Sequence, residues 1–335
     1  YTWNYPYLTA INSIIPALMA GNCVILKHAA QTLLCAERFY QAFKTAQLPT
    51  GVFQYLHLDH KNTLKTIQQP NINFISFTGS VTAGAIIEKN LAGLFKPLTL
   101  ELGGKDAAYV RADVDIEQTV ESLVEGAFFN SGQSCCGIER IYVDRSIYDD
   151  FVHRFVQKTK RLKLGHALAM DTSLGPMINH QALKFAQQQV EQALAQGAKA
   201  HIDAQNFPIL KADNLANGHY LSPQVLTGVS HTMSLMQEEN FAPIVGIMAV
   251  ENDQQAINLI NDSPYGLTAS IWSRDEEASF LLCDQINTGT VFINRCDYLD
   301  PSLPWVGVQN SGRGCSLSHL AYQQFTRPKS IHVKK

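Results

Sequence analysis

Three side chains in this sequence could make bonds or move protons if the fold brought them together. Cys135 follows Asn130-Ser131-Gly132-Gln133-Ser134 and precedes Cys136. A thiol after a glycine-containing polar turn, at the edge of an expected strand, can be exposed. It becomes a nucleophile once amide dipoles, a helix N-terminus or a cation such as Arg140 favours the thiolate. The same pair equally suits a buried, inert spot for small apolar residues. Glu101 ends the apolar run Leu98-Thr99-Leu100 and is followed by Leu102-Gly103-Gly104. Burial there would raise its pKa toward neutrality, where a general base works. A carboxylate that caps the next turn is the plainer alternative. Asn4, in Trp3-Asn4-Tyr5-Pro6, has an amide that can donate to an oxyanion, or can simply shape a turn before proline.

A fourth segment could bind anions. Phe77-Thr78-Gly79-Ser80-Val81 reads as strand, glycine turn and helix start. Free N–H groups at a helix N-terminus hold phosphate, and Ser80 adds a hydroxyl. Ser80 equally suits a helix N-cap, and the three-glycine dinucleotide fingerprint is absent. The 11 histidines show no ligand spacing, so no metal is assigned.

These residues need elements to hold them. Leu8–Met19 reads as a buried helix broken near Pro16. Cys23–Lys27 reads as a strand buried on both faces, followed by an amphipathic helix through Cys35, Phe39, Phe43 and Ala46. Strands are expected at 52–56, 73–77 and 98–102. Farther on come a strand at 140–144, helices at 147–162, 180–197, 253–261 and 275–286, and strands at 268–272 and 290–294. The tail, 330–333, reads as a short strand. Alternating strands and helices predict an α/β fold with doubly wound parallel sheets.

Length and composition narrow the function. The 335 residues suit two domains. With 26 Lys+Arg against 29 Asp+Glu, the net charge of -3 leaves no basic surplus for nucleic acid. The uncharged stretch Tyr1–Leu26 is interrupted by Pro6, Pro16 and Gly21, which argues against a membrane span. Seven irregularly spaced cysteines form no disulfide framework, so reduced thiols in a cytoplasmic protein are expected.

In order along the chain, Trp3-Asn4-Tyr5-Pro6, Leu26-Lys27, Phe77-Thr78-Gly79-Ser80, Leu100-Glu101-Leu102-Gly103-Gly104, Gly132-Gln133-Ser134-Cys135, Glu238-Glu239-Asn240-Phe241 and Ser311-Gly312 carry a resemblance to the aldehyde dehydrogenase superfamily. The resemblance implies two Rossmann-like α/β domains, the first one partial, and a small C-terminal oligomerisation strand. It divides the chain into a cofactor domain at 1–103, a catalytic domain at 104–305 and a C-terminal return at 306–335. It implies NAD(P)+-dependent oxidation of an aldehyde to the acid, through a Cys135 thiohemiacetal and thioester. Asn4 would serve the oxyanion and Glu101 would activate water. Trp3, Lys27, Gly79, Ser80, Glu239 and Phe241 would bind NAD or NADP. A homodimer or homotetramer would follow, with no nucleic-acid or membrane partner.

The sequence departs from the family pattern. Ala30 stands where a carboxylate usually holds the ribose hydroxyls, which makes NADP admissible. Leu26-Lys27-His28-Ala29 is similar to a run in some succinate-semialdehyde dehydrogenase-like members. Ser13 replaces a lysine thought to relay protons from the base. Trp305-Val306-Gly307-Val308-Gln309 alters the pocket mouth. Arg295 is a candidate to meet a substrate carboxylate, and Phe129, Tyr298 and Trp305 to line an apolar or cation-tolerant pocket. Family members begin well upstream of the Trp-Asn-Tyr-Pro motif. Activity is therefore expected within a longer polypeptide, and impaired activity from these residues alone. Two other readings stay open: a CoA-acylating enzyme, and a truncated, non-catalytic cofactor-binding protein.

Overall fold

The computed structural model describes residues 1–205, 207 and 218–335. In chain order its elements begin with α1 (Leu8–Met19), β1 (Val24–Leu26), α2 (Leu33–Thr45), β2 (Phe53–Tyr55), α3 (His60–Ile67), β3 (Ile75–Thr78), α4 (Val81–Leu91) and β4 (Leu98–Glu101). Next are β5 (Asp106–Val110), α5 (Ile116–Phe128), β6 (Ile138–Asp144), α6 (Tyr148–Thr159), α7 (His180–Ala195), β7 (Lys199–Ala200), β8 (Gln224–Thr227) and α8 (Ser234–Gln237). The chain ends with β9 (Ile244–Val250), α9 (Asp253–Asn261), β10 (Thr268–Trp272), α10 (Glu276–Cys283), β11 (Thr290–Ile293), β12 (Gly312–Arg313) and α11 (Leu320–Gln324). They form two compact units. The first holds Tyr1–Leu102, Leu299–Gly307 and Ser311–Lys335; the second holds Gly103–Tyr298 and Val308–Asn310.

The second unit is a seven-stranded sheet in the order β11-β10-β5-β6-β9-β8-β7. Every pairing is parallel except β7 with β8. A strand's side chains alternate between faces, and here both faces are covered. Ala107, Tyr109 and Tyr142 enter one apolar core with residues of α7 and α9. Ala108, Val110, Ile141 and Val143 enter the other with Leu123, Phe151 and Phe155 from α5 and α6. This is the expected doubly wound arrangement. Helix starts are capped by short acceptors: Asp115 for α5, Asn179 for α7, Asn252 for α9 and Asp275 for α10.

The first unit is built around two small sheets. In one, β1 lies parallel to β2, and Ala10, Ile14, Ala36 and Phe39 of α1 and α2 pack with Leu26 and Phe53. In the other, β4 lies between parallel β3 and antiparallel β12. Leu98 and Leu100 pack there against Ile87 and Leu91 of α4. Ile25 is 42% exposed, so the expectation of a β1 strand buried on both faces fails. A two-stranded sheet has only one strand to pair with, and the helices packed on it cover Leu26, not Ile25.

Two further expectations need correction. α1 is not broken at Pro16; it runs on through the proline, which forgoes a single hydrogen bond. Residues 330–333 form no strand: a strand needs a backbone partner, and none pairs with them among the described residues. Asn4 lies in a bend leading into α1.

Gly312 closes β12 onto β4. Its φ is +121°, and a Cβ there would collide with the Leu100 carbonyl. Gly312→Ala is therefore expected to destabilise the first unit by about 1–3 kcal/mol from backbone strain alone, read as a lowered thermal midpoint.

Candidate functional site

In the first unit, register places Glu101 opposite Thr78 on β3 and Gly312 on β12. The alternation that buries Leu98 and Leu100 turns Thr99 and Glu101 to the other face. The Glu101 carboxylate accepts a short hydrogen bond from the Ser316 hydroxyl and a longer one, 3.4 Å, from the Thr78 hydroxyl. Burial raises its pKa, and the two hydroxyls pull it part of the way back. A carboxylate held this way is suited to take a proton near neutrality. It does not cap the following turn.

The bend that carries Trp3 and Asn4 is pinned by His28. The fully buried imidazole accepts from the Ala29 N–H at Nδ1, 3.0 Å, so its Nε2 hydrogen points at the Pro6 carbonyl, 2.8 Å away. The Thr32 hydroxyl also donates to Nδ1, at 3.0 Å. Burial lowers the His28 pKa, which keeps the ring neutral. Thr9 adds a hydrogen bond to the Tyr5 carbonyl, 3.0 Å. Next along from β1, Lys27 is partly buried, its pKa is lowered by burial, and it has no ion-pair partner among the described residues. Ala30 opens a short turn with no carboxylate at that position.

Ser80 is the N-cap of α4: its hydroxyl accepts from the Ala83 N–H at 3.3 Å. The residue is exposed, and the first N–H groups of an eleven-residue helix lie beside it. Gly79 donates its N–H to the Glu101 carbonyl, 3.0 Å. A Cβ there would lie 2.6 Å from the Phe77 ring, so a larger residue would have to displace that ring.

In the second unit, Cys135 sits on a strained turn between α5 and β6. Asn130 (φ 50°), Ser131 (φ 57°) and Gly132 (φ 69°) are all left-handed. Gly132 faces the Ala242 carbonyl, where a Cβ would collide. Gln133 clamps the turn: its Oε1 accepts from the Ile178 N–H at 2.8 Å, and its Nε2 donates to the Asn130 carbonyl at 3.1 Å. Ser131 donates to the Gly175 carbonyl, 2.8 Å. The two adjacent thiols then part ways. Cys136 is buried and donates to the Asp297 carboxylate at 2.8 Å. The neighbouring Cys135 sulfur, burial and Asp297 together push the Cys136 thiol far above its ordinary range. Cys135 is only half-buried. The structure thus separates a buried sulfur tied to a carboxylate from a neighbour that keeps partial exposure, a distinction that composition cannot make.

Glu239 accepts from the Gly104 N–H at 3.0 Å. Burial, reinforced by the Glu139 carboxylate, raises its pKa to about 8. A Cβ on Gly103 would strike this carboxylate, and one on Gly104 would strike the Cys135 carbonyl. The glycine pair therefore lets two candidate residues approach the backbone after Leu102. Behind them is a network that sequence reasoning missed. Glu139 binds Lys105 at 2.6 Å and accepts from the backbone N–H groups of Asn240 and Phe241 at 2.8 and 2.9 Å. Lys105 also donates to the Asn240 side chain, 2.9 Å. The signal was a lone glutamate inside the apolar strand β6. Among the other candidates, Arg295 lies over the Tyr298 ring at 3.2 Å, Phe129 is exposed, and Trp305 is buried. No His/Cys/Asp/Glu group among the described residues could hold a metal. No helix among them is long and apolar enough to cross a membrane.

The family model described as the aldehyde dehydrogenase family matches residues 1–331. A succinate semialdehyde dehydrogenase [NAD(P)+] of Escherichia coli is 34% identical over 98% of this chain and 70% of its own length. A succinate-semialdehyde dehydrogenase [NADP(+)] of Mycobacterium bovis is 33% identical, over 99% of this chain and 71% of its own. Among solved structures, a Mycobacterium tuberculosis aldehyde dehydrogenase complexed with NAD+ superposes with a TM-score of 0.93 at 32% identity, covering 99% of this chain and 68% of that one.

Removing Glu139 would leave the Lys105 ammonium buried without a counter-charge. Glu139→Ala is expected to cost about 3–5 kcal/mol, measured by denaturant unfolding of the second unit's sheet. The Glu139→Ala/Lys105→Met double variant should recover part of that loss.

Proposed function

This chain belongs to the aldehyde dehydrogenase family, and from that premise we propose how its own residues perform the NAD(P)+-dependent oxidation of an aldehyde to a carboxylic acid. The observation that carries the reading is the division between the two thiols: Cys136 is tied to Asp297, which leaves Cys135 as the accessible sulfur. Cys135 adds as the thiolate to the aldehyde carbon. The Asn4 amide and the Cys135 backbone N–H donate to the oxyanion of the thiohemiacetal, an interaction type worth ~3 kcal/mol per donor in other enzymes. Glu101 takes a proton from the water that hydrolyses the resulting thioester. Its partial burial and raised pKa suit that task.

The residues present fit a dinucleotide. The N-terminus of α4 offers N–H groups and the Ser80 hydroxyl for phosphate, with Gly79 keeping the turn tight. Lys27 supplies a cation without an ion-pair partner among the described residues, and the Glu239 carboxyl oxygens can accept from ribose hydroxyls. Trp3 and Phe241 are assigned to pack against the same cofactor. When bound, the nicotinamide accepts the hydride. With Ala30 in place of a carboxylate, nothing at that position repels a 2′-phosphate, so both NAD and NADP are taken. Two of the named relatives are succinate semialdehyde dehydrogenases, whose aldehyde carries a carboxylate. Arg295, which has no ion-pair partner among the described residues, is the cation we assign to such a group. We read the protein as a cytoplasmic homo-oligomer.

Two experiments check this in the full-length protein. Cys135→Ala is expected to abolish NAD(P)H formation, whereas Cys136→Ser retains it; Glu101→Gln should give a burst of about one equivalent and then stall. Turnover by Cys135→Ala at the wild-type rate would remove the mechanism. For cofactor choice, Ala30→Glu is expected to lower kcat/KM for NADP relative to NAD by roughly tenfold, about 1.4 kcal/mol.

A further inference from the structure

Glu101 must lose, once per turnover, the proton it takes from water, and this inference rests on reading Glu101 as the base. The first unit holds a cleft that starts at the Glu101 carboxylate and is lined by Ser13, Ser76, Ser316, Trp305, Arg313 and Gln324. Ser316 is buried and donates to Glu101. Two backbone hydrogen bonds with Trp305, of 2.7 and 2.9 Å, fix its position. Across the cleft the Ser13 and Ser76 hydroxyls are 2.8 Å apart. Both also bond the Tyr1 phenol, which burial holds up at about 12, so it stays neutral. At the outer end, exposed Arg313 is paired with Glu88 at 2.6 Å.

The titratable groups facing Glu101 are few. They are the Tyr1 phenol, the Cys315 thiol, raised by burial and by Glu101 itself, and the always-charged Arg313. None of these takes up a proton at neutral pH. No lysine, histidine or second carboxylate lines the cleft among the described residues. What remains to carry the proton is hydroxyl groups and water.

We propose that Ser316 is the first carrier of a hydroxyl-lined proton exit from Glu101, and that Ser13 and Ser76 are positioning residues for the water that continues it to the surface beside Arg313. In the resting state the Ser316 O–H donates to the carboxylate. When the attacking water's O–H bond breaks, its oxygen bonds the thioester carbon and its proton goes to Glu101. The hydrogen bond then reverses: the Glu101 O–H donates to Ser316 Oγ, and the Ser316 O–H turns to a water in the cleft. The Glu101 proton passes to Ser316 Oγ as the Ser316 proton passes to that water. Glu101 is left as the carboxylate, and one proton leaves to bulk solvent.

The test separates acylation from hydrolysis in the full-length protein. Ser316→Ala is expected to keep a full NAD(P)H burst and to lower the steady-state rate by about tenfold or more, within the range of positioned proton transfer. Loss of a donor to the carboxylate should also move the acid limb of the steady-state profile to higher pH. Ser316→Thr should restore both. The Ser13→Ala/Ser76→Ala double variant should lower the plateau with the acid limb in place. The proposal is overturned if Ser316→Ala loses burst and turnover together, or if both Ser316→Ala and the double variant turn over within about twofold of wild type. Unimpaired turnover by Glu101→Gln would instead remove the base assignment.

Discussion

The second unit depends on one buried glutamate. Glu139, inside β6, neutralises Lys105 at the approach to β5 and accepts from the backbone of Asn240 and Phe241 ahead of β9. Three adjacent segments of a parallel sheet are thus tied at one end by a single carboxylate. Burying either charge alone would be costly, so each makes the other tolerable. Phe241, whose N–H is held by Glu139, has a left-handed backbone. Candidate residues on loops stay in place because a rigid interior fixes the loop ends.

In the first unit the same end is reached with neutral groups. Glu101 is surrounded by the hydroxyls of Ser316 and Thr78, with no cation among its hydrogen-bond partners. Hydroxyls can donate to a carboxylate and accept from a carboxylic acid, so they serve both protonation states. A fixed lysine would favour only the charged form. The environment leaves the acid's pKa raised while still solvating the anion.

Much of this was legible in the sequence. α1, α9 and β10 match the ranges read from apolar periodicity, because each has a clear stripe or an unbroken apolar run. β5 was missed because Asp-Ala-Ala-Tyr-Val has little branched or aromatic character and is strand only through its two neighbours. β9 was missed as well; Gly246 interrupts its run at the point where the Met236 side chain packs on it. α5 carried its signal in Asp115, which caps Gln118, yet it was not read as a helix. The candidate residues were found as motifs, while their partners were not. Ser316, Asp297 and His28 act across long sequence separations, and no spacing rule joins Glu101 to a residue 215 positions away.

The contrast between Cys135 and its neighbour has a pharmacological side. An electrophile delivered to this doublet meets one sulfur that keeps partial exposure and another buried against a carboxylate that also repels its thiolate. A covalent inhibitor would therefore label a single position of the pair, and selectivity between such enzymes could be sought in whatever residue stands where Asp297 does.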